Sequence, residues 1–438
     1  MSTTLQISSS EPTRKGFLTN YPPFRYWRPE AIERFIEPRP LNLYIHVPYC
    51  IQRCAYCFYK VTTLGDNRKA EIDRYVSALC REIEHAARHF HLGEQPVKTI
   101  YFGGGTPTVL SKDNMSRIWE VIHQHFQLEE PEITVEAEPV TLIPSKADHL
   151  KALGVNRISM GIQSFADEVV KKTGRVDTEE QAFKAIELAK STGAVVNVDL
   201  MSGLAGDTDE LWAYSVERAI ESGAHSLTVY KTEVYANAGY YSDIKHKSLT
   251  LPSDEDELRF TAHAIERFEK AGYLPVNFFT FTKGGGYMQQ HATSSWQGRE
   301  TYGFGVSAFG LLRGHALQNT SELPRYVALV EEGKLPLARG CRLTARDLMT
   351  RDVALGMKLI RFDRKEFQRR YGFDVLSLCG PTVEALAADG LVEVTPDALS
   401  LTRKGILWGD YVGHRLAAAL ETAEASAAPG APVVSCTV

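Results

Sequence analysis

The sequence predicts an α/β fold, a partial (βα)6 TIM-type barrel followed by a small helical, winged-helix-like domain. Three observations carry this. Six short runs rich in β-branched residues start at residue 41, amphipathic stretches of helical period separate them, and after about residue 320 the alternation gives way to helices ending in a hairpin signal. Repeated βα units with right-handed crossovers curl a parallel sheet into a full or partial barrel, with its chemistry at the carboxyl ends of the strands.

Residues 1–40 are rich in Pro, Ser and Arg and lack a period, so they read as an arm crossing the surface, although TNYPPFRYWRP is too aromatic for a plain linker. Residues 41–320 form the barrel. Its strands are LNLYIHV, VKTIYFGGG, EITVEAEP, RISMGIQ, VVNVDLMSG and SLTVYKT, with LPVNFFTFT as a candidate further strand. Helical patterns at 72–90, 112–126, 145–153, 179–192 and 210–222 separate them. Residues 321–424 form the second domain, helical over 344–357 and 383–388 and closing in DGLVEVTPDALSLTRKG. Its functional reading is DNA binding, but the recognition segment lacks a dense Lys/Arg face, so a lid or packing module is preferred. The tail, 425–438, is Ala/Pro/Ser-rich and reads as mobile.

Composition agrees with two domains. A chain of 438 residues exceeds what one core holds, and 44% apolar with 24% charged residues is ordinary globular usage. The net charge of −5 argues against nucleic acid as a partner. With no signal-peptide pattern and no run of about 18 apolar residues, the expectation is a cytoplasmic protein without a membrane span.

Three of the seven cysteines, Cys50, Cys54 and Cys57, crowd into a Cys-x3-Cys-x2-Cys segment directly after the first strand, where a barrel active site begins. Structural zinc takes four protein ligands, and no second Cys or His pair follows nearby. An iron-sulfur cluster on three thiolates leaves one iron open to a small molecule. YFGGGTPT follows the second strand; its glycines allow close backbone approach, yet it has neither a Walker ending nor the G-x-G-x-x-G pattern. Glu136 and Glu138 end the third strand, Gln163 the fourth, and Asp199 lies near the end of the fifth. Polar groups at the ends of apolar strands need partners, which Arg175, a ribose hydroxyl or an ammonium group can supply.

The cysteine spacing, with Tyr56 just before the third Cys, resembles the radical S-adenosylmethionine (SAM) superfamily. Over residues 20–420 the segments LYIHVPYC, YFGGGTPT, ITVEAEP, NRISMGIQSF, VDLMSGL and YGFGVSAFG resemble the oxygen-independent coproporphyrinogen III oxidase (HemN-like) family. The resemblance implies a [4Fe-4S] cluster on Cys50, Cys54 and Cys57 and two SAM molecules. Tyr44, Gly104, Glu136 and Phe309 would hold the cluster-bound SAM; Tyr56, Gly105, Thr106, Gln163, Arg175 and Asp199 would line the second. It also implies a flavodoxin- or ferredoxin-type electron donor and a small-molecule substrate.

This chain departs from the oxidases in having Phe58 and Tyr59 where they follow the third Cys with Gly and a further Cys, and in the charged Lys231 and Glu233 of VYKTEVYA. From the heme-chaperone pattern His-Asn-x-x-Tyr-Trp, the segment HATSSW keeps only His291 and Trp296. The expectation drawn is the family's methyltransferase and cyclopropanase branch: radical C-methylation or cyclopropanation using a second SAM, with Glu233, His291 or Tyr235 moving the final proton. The alternatives are oxidative decarboxylation of porphyrinogen propionates, with Arg25, Arg28, Arg299 and Arg313 as carboxylate binders, and a heme carrier without turnover.

Overall fold

The computed structural model describes residues 40–65 and 68–423; nearly all of the expected arm, the tail, Arg25 and Arg28 lie outside them. Twelve strands form one sheet: β1 (Leu41–Val47), β2 (Pro96–Gly104), β3 (Gln127–Ala137), β4 (Arg157–Gln163), β5 (Val195–Ser202), β6 (Ser226–Lys231), β7 (Tyr273–Pro275), β8 (Thr280–Lys283), β9 (Glu300–Phe304), β10 (Phe309–Leu312), β11 (His315–Asn319) and β12 (Leu337–Arg342). Their order is β12-β11-β10-β9-β1-β2-β3-β4-β5-β6-β8-β7. All pairings from β9 through β6 are parallel. β1 shows why: Leu41, Leu43, Ile45 and Val47 are sealed on one face and Asn42 on the other, the two-sided burial of a parallel strand.

Helices Arg68–His89, Lys112–His125, Pro144–Ala152, Glu179–Ser191 and Asp209–Glu221 follow β1 to β5. Side chains start several of them. Ser111 caps the second, Thr208 caps the last, and Thr178 with Gln181 forms a capping box.

Three features differ from the sequence reading. β12, expected in the second domain from residue 321, pairs with β11 and belongs to the barrel's sheet. LPVNFFTFT is not one strand: Asn277 Oδ1 accepts the backbone N–H groups of Phe279 and Thr280 at 3.0 and 2.8 Å, folding the segment into the antiparallel pair β7 and β8. The seventh parallel strand is instead β9, on the far side of β1 with Leu41 opposite Glu300. It follows the short helix Gln290–Trp296, so it stands outside the regular βα alternation.

The carboxyl-terminal part combines helices Ala345–Gly356, Arg364–Tyr371, Leu376–Ala388, Arg403–Leu407 and Gly409–Thr422 with a three-stranded antiparallel sheet of Arg361–Asp363, Ala398–Leu401 and Val392–Val394. It packs beside the barrel where β8 and β9 do not pair with each other. There Trp296 packs its ring on Phe279, while Asn42 of β1 donates to Ser294 at 2.9 Å. Behind them Arg351 donates to the Ser295 carbonyl at 2.9 Å, and the Phe278 N–H donates to the Lys358 carbonyl. No helix among the described residues is long and apolar enough to cross a membrane.

Candidate active site

The carboxyl ends of β1 and β2 lie side by side, and the loops leaving them interlock. Gly105 N–H donates to the Val47 carbonyl at 2.7 Å and Thr106 N–H to the Tyr49 carbonyl at 2.8 Å. A Cβ on Gly105 would stand 2.6 Å from the Tyr49 carbonyl oxygen and 3.0 Å from Cys50 Sγ. Gly104 has φ +111°, and a Cβ there would strike the His46 ring. The glycines of YFGGGTPT thus serve first to let this loop lie against the cysteine loop.

Cys50, Cys54 and Cys57 all line a cavity of about 590 Å3. Cys50 and Cys54 are 8% and 9% exposed. Burial pushes the Cys50 thiol up to about 12 and Cys57 to about 11, and it raises Cys54 although the Arg175 guanidinium opposes it. The protein alone therefore disfavours thiolates, and a bound metal's charge must supply the balance. Among the described residues no three His, Cys, Asp or Glu side chains converge on one ion. A cubane cluster takes one thiolate per iron, so its three thiols need not converge on a single ion. The donor set fits the cluster.

The cavity gathers nearly every residue singled out from the sequence. Glu136 accepts the Tyr101 hydroxyl at 2.6 Å and the Gly104 N–H at 3.1 Å, and burial pushes its carboxyl up to about 7. Asp199 accepts from Ser159 and Asn197, each at 2.8 Å, and burial raises it to about 6. Arg175 binds Asp177 at 2.8 Å, the Gly161 carbonyl at 2.8 Å and Glu138 at 3.3 Å, so the structure already supplies its partners. Gln163 holds a left-handed φ of +69° where the β4–β5 register shifts, a strained position at the cavity wall. Tyr44, Tyr56, Thr106, Phe309, Glu233 and His291 also line the cavity.

Tyr235 is absent from the lining. Its ring packs 4.3 Å from that of Phe58, which stacks on Tyr59 at 4.4 Å, so Tyr235 backs the wall without reaching the interior. Glu233 lies beside Lys231, which also faces Asp254 and Glu257.

Sequence reasoning found Arg175 but missed two other cations of the cavity. Arg299 is exposed, and Arg313 donates to the Phe90 carbonyl away from the cavity. Buried Arg157 and Arg351 line it too; Arg157 Nε and Arg351 Nη1 are sealed within the protein without hydrogen bonds among the described residues, and Arg351 Nη1 faces Asp352 at 4.0 Å. Arg157 had a visible signal, a charge opening the otherwise apolar run RISMGIQ; Arg351 had none, because packing of the carboxyl-terminal part brings it there.

A family model for the radical SAM superfamily matches residues 44–219, and one for the HemN C-terminal domain matches residues 343–408. Barrel, thiol triplet and cavity define a radical SAM enzyme, whose cofactors are a [4Fe-4S] cluster and SAM. Oxygen-independent coproporphyrinogen III oxidase of Escherichia coli (strain K12) is 32% identical over 401 residues, covering 86% of this chain and 85% of that protein. Heme chaperone HemW of Bacillus subtilis (strain 168) is 29% identical over 375 residues, covering 85% and 97%. The structure of E. coli coproporphyrinogen III oxidase (HemN) superposes with a TM-score of 0.80 at 27% identity, covering 93% of this chain and 97% of that one. The chain belongs to the HemN-like family of radical SAM proteins.

These relatives overturn the expectation of C-methylation or cyclopropanation: they are named as oxidases and heme chaperones. That expectation leaned on Phe58 and Tyr59. In the structure these two rings stack on each other as part of the cavity wall, so they shape the pocket and do not define a reaction class.

Proposed function

We propose that this chain oxidatively decarboxylates propionate side chains of a porphyrinogen. One observation carries the reading: the three thiols share a single cavity with two buried guanidinium groups, Arg157 and Arg351. A buried cation needs an anionic or acceptor partner, and guanidinium is the side chain suited to carboxylates. The volume of about 590 Å3 lies within the range of small-molecule sites.

When bound, the cluster and SAM supply a 5′-deoxyadenosyl radical that takes a β-hydrogen atom from a propionate; loss of carbon dioxide and of one electron to an acceptor leaves a vinyl group. The protein's residues bind and orient. Tyr44, Gly104, Glu136 and Phe309 are assigned to the cluster-bound SAM, and Tyr56, Gly105, Thr106, Gln163, Arg175 and Asp199 to a second. Arg157 and Arg351 take substrate carboxylates, and Tyr59 and Tyr230, which line the cavity and are partly exposed, offer ring faces to pyrroles. A flavodoxin- or ferredoxin-type protein delivers the electron.

The test is anaerobic incubation of the reconstituted enzyme with SAM, a reductant and coproporphyrinogen III. Carbon dioxide, a vinyl-bearing product and 5′-deoxyadenosine are expected in step. Deoxyadenosine without decarboxylated product would sink the proposal, and tight heme binding without turnover would move the chain to the chaperone side of the family.

A further inference from the structure

A hydrogen-bond chain inside the barrel decides which nitrogen of His291 carries a proton. Thr99 of β2 and Asn42 of β1 are buried at 1% and 0% exposure. The single hydroxyl proton of Thr99 goes to Asn42 Oδ1 at 2.9 Å. Toward His291 Nδ1, at 2.7 Å, Thr99 therefore acts as acceptor, and Nδ1 carries the hydrogen. The far end of the chain sets the Asn42 amide: its Nδ2 donates to Ser294 Oγ at 2.9 Å, and Ser294 donates in turn to the His291 carbonyl at 3.2 Å. The backbone is held as well, since His291 N–H donates to Glu132 at 3.0 Å.

The ring is neutral, because burial pushes its pKa down to about 3. A neutral imidazole protonated on Nδ1 has its lone pair on Nε2. His291 lines the cavity, and within the described residues Nε2 makes no hydrogen bond and is not sealed from it. In this tautomer Nε2 receives hydrogen bonds and holds no proton to give.

We propose that Asn42 and Thr99 are positioning residues that lock His291 as a hydrogen-bond acceptor for an N–H donor of the substrate, a pyrrole N–H of the tetrapyrrole. The assignment of the donor rests on the proposed function; the lock itself does not. Arginines serve carboxylates but cannot accept, and a pyrrole N–H taken out of water without an acceptor costs about as much as a lost hydrogen bond. Three residues from β1, β2 and the helix Gln290–Trp296 thus supply what the cationic groups lack.

Two measurements on the cluster-loaded protein test this. Nitrogen-15 spectra of labelled histidine, assigned with His291→Phe, should show Nδ1 protonated and Nε2 bare. Thr99→Val should release this tautomer and Thr99→Ser should retain it. Affinity for metal-free coproporphyrin III should fall by about three- to tenfold in Thr99→Val, the worth of one hydrogen bond, and recover in Thr99→Ser. An N,N′-dimethylated coproporphyrin III, which has no N–H, should bind wild type and Thr99→Val alike, which separates a lost hydrogen bond from a damaged fold. Protonation at Nε2 in the wild type overturns the lock alone. Failure of coproporphyrin III to bind overturns the pyrrole donor together with the proposed function, and iron coproporphyrin bound through His291 as an axial ligand overturns the acceptor role.

Discussion

Gly105 is the residue on which the cysteine loop and the glycine-rich loop meet. Its replacement by Ala places a methyl group against two backbone carbonyls and Cys50 Sγ, none of which is the free end of a flexible side chain. The expected outcome of Gly105→Ala is a folded protein that reconstitutes with less iron and sulfide and with weaker cluster absorbance; normal iron content would show that the loops separate at little cost. At this scale the sequence was most legible where chemistry imposes spacing. Cys50, Cys54 and Cys57 stand out because three thiols within eight residues suit ligands that act together. Arg351 was invisible because helix Ala345–Gly356 is an ordinary amphipathic segment until its partner is known. Tyr235 was misassigned for a related reason: an aromatic near a strand end reads the same from sequence whether it faces the cavity or packs behind Phe58.

Among the elements, helix Arg68–His89 does more than cover the sheet. Its Glu82 is buried and accepts hydrogen bonds from the Gly305 N–H at 2.8 Å, the Asn319 amide at 2.6 Å and the Tyr326 hydroxyl, tying the loop after β9 to the barrel wall. Glu82→Ala strands these donors and should cost about 3 kcal/mol in denaturant unfolding, whereas Glu82→Gln keeps an acceptor and should cost about 1 kcal/mol. Burial raises the Glu82 carboxyl from 4.5 to about 7. The native state thus holds a proton that the unfolded chain releases, and stability falls as pH rises from about 4.5 to about 7. Glu82→Gln should flatten part of that fall in the cluster-free protein, leaving the share of Glu136, Asp199 and Asp207, which burial raises in the same sense. An unchanged slope would mean that Glu82 is ionised throughout. The element pattern itself was legible where strand and helix alternate. It failed at β7, β8 and β9, where a single Asn-capped turn and a short helix break the rhythm.

For the molecule as a whole, the carboxyl-terminal part is a wall of the cavity as well as a cover beside it. Arg351→Gln preserves a donor for the Ser295 carbonyl while removing the charge. It should raise KM for coproporphyrinogen III about tenfold with kcat and iron content nearly unchanged, as loss of one charged hydrogen bond requires. An unaltered KM would remove Arg351 from substrate binding. The pairing of β1 with β9 has a consequence in time. Leu41 lies opposite Glu300, so during synthesis β1 waits as an open sheet edge until residues 300–304 leave the ribosome. At about 5–20 residues per second that wait is on the order of ten to fifty seconds. Over that interval the cysteine loop hangs from a strand paired on one side only, so a nascent chain stalled before residue 300 should be prone to aggregation and slow to acquire its iron.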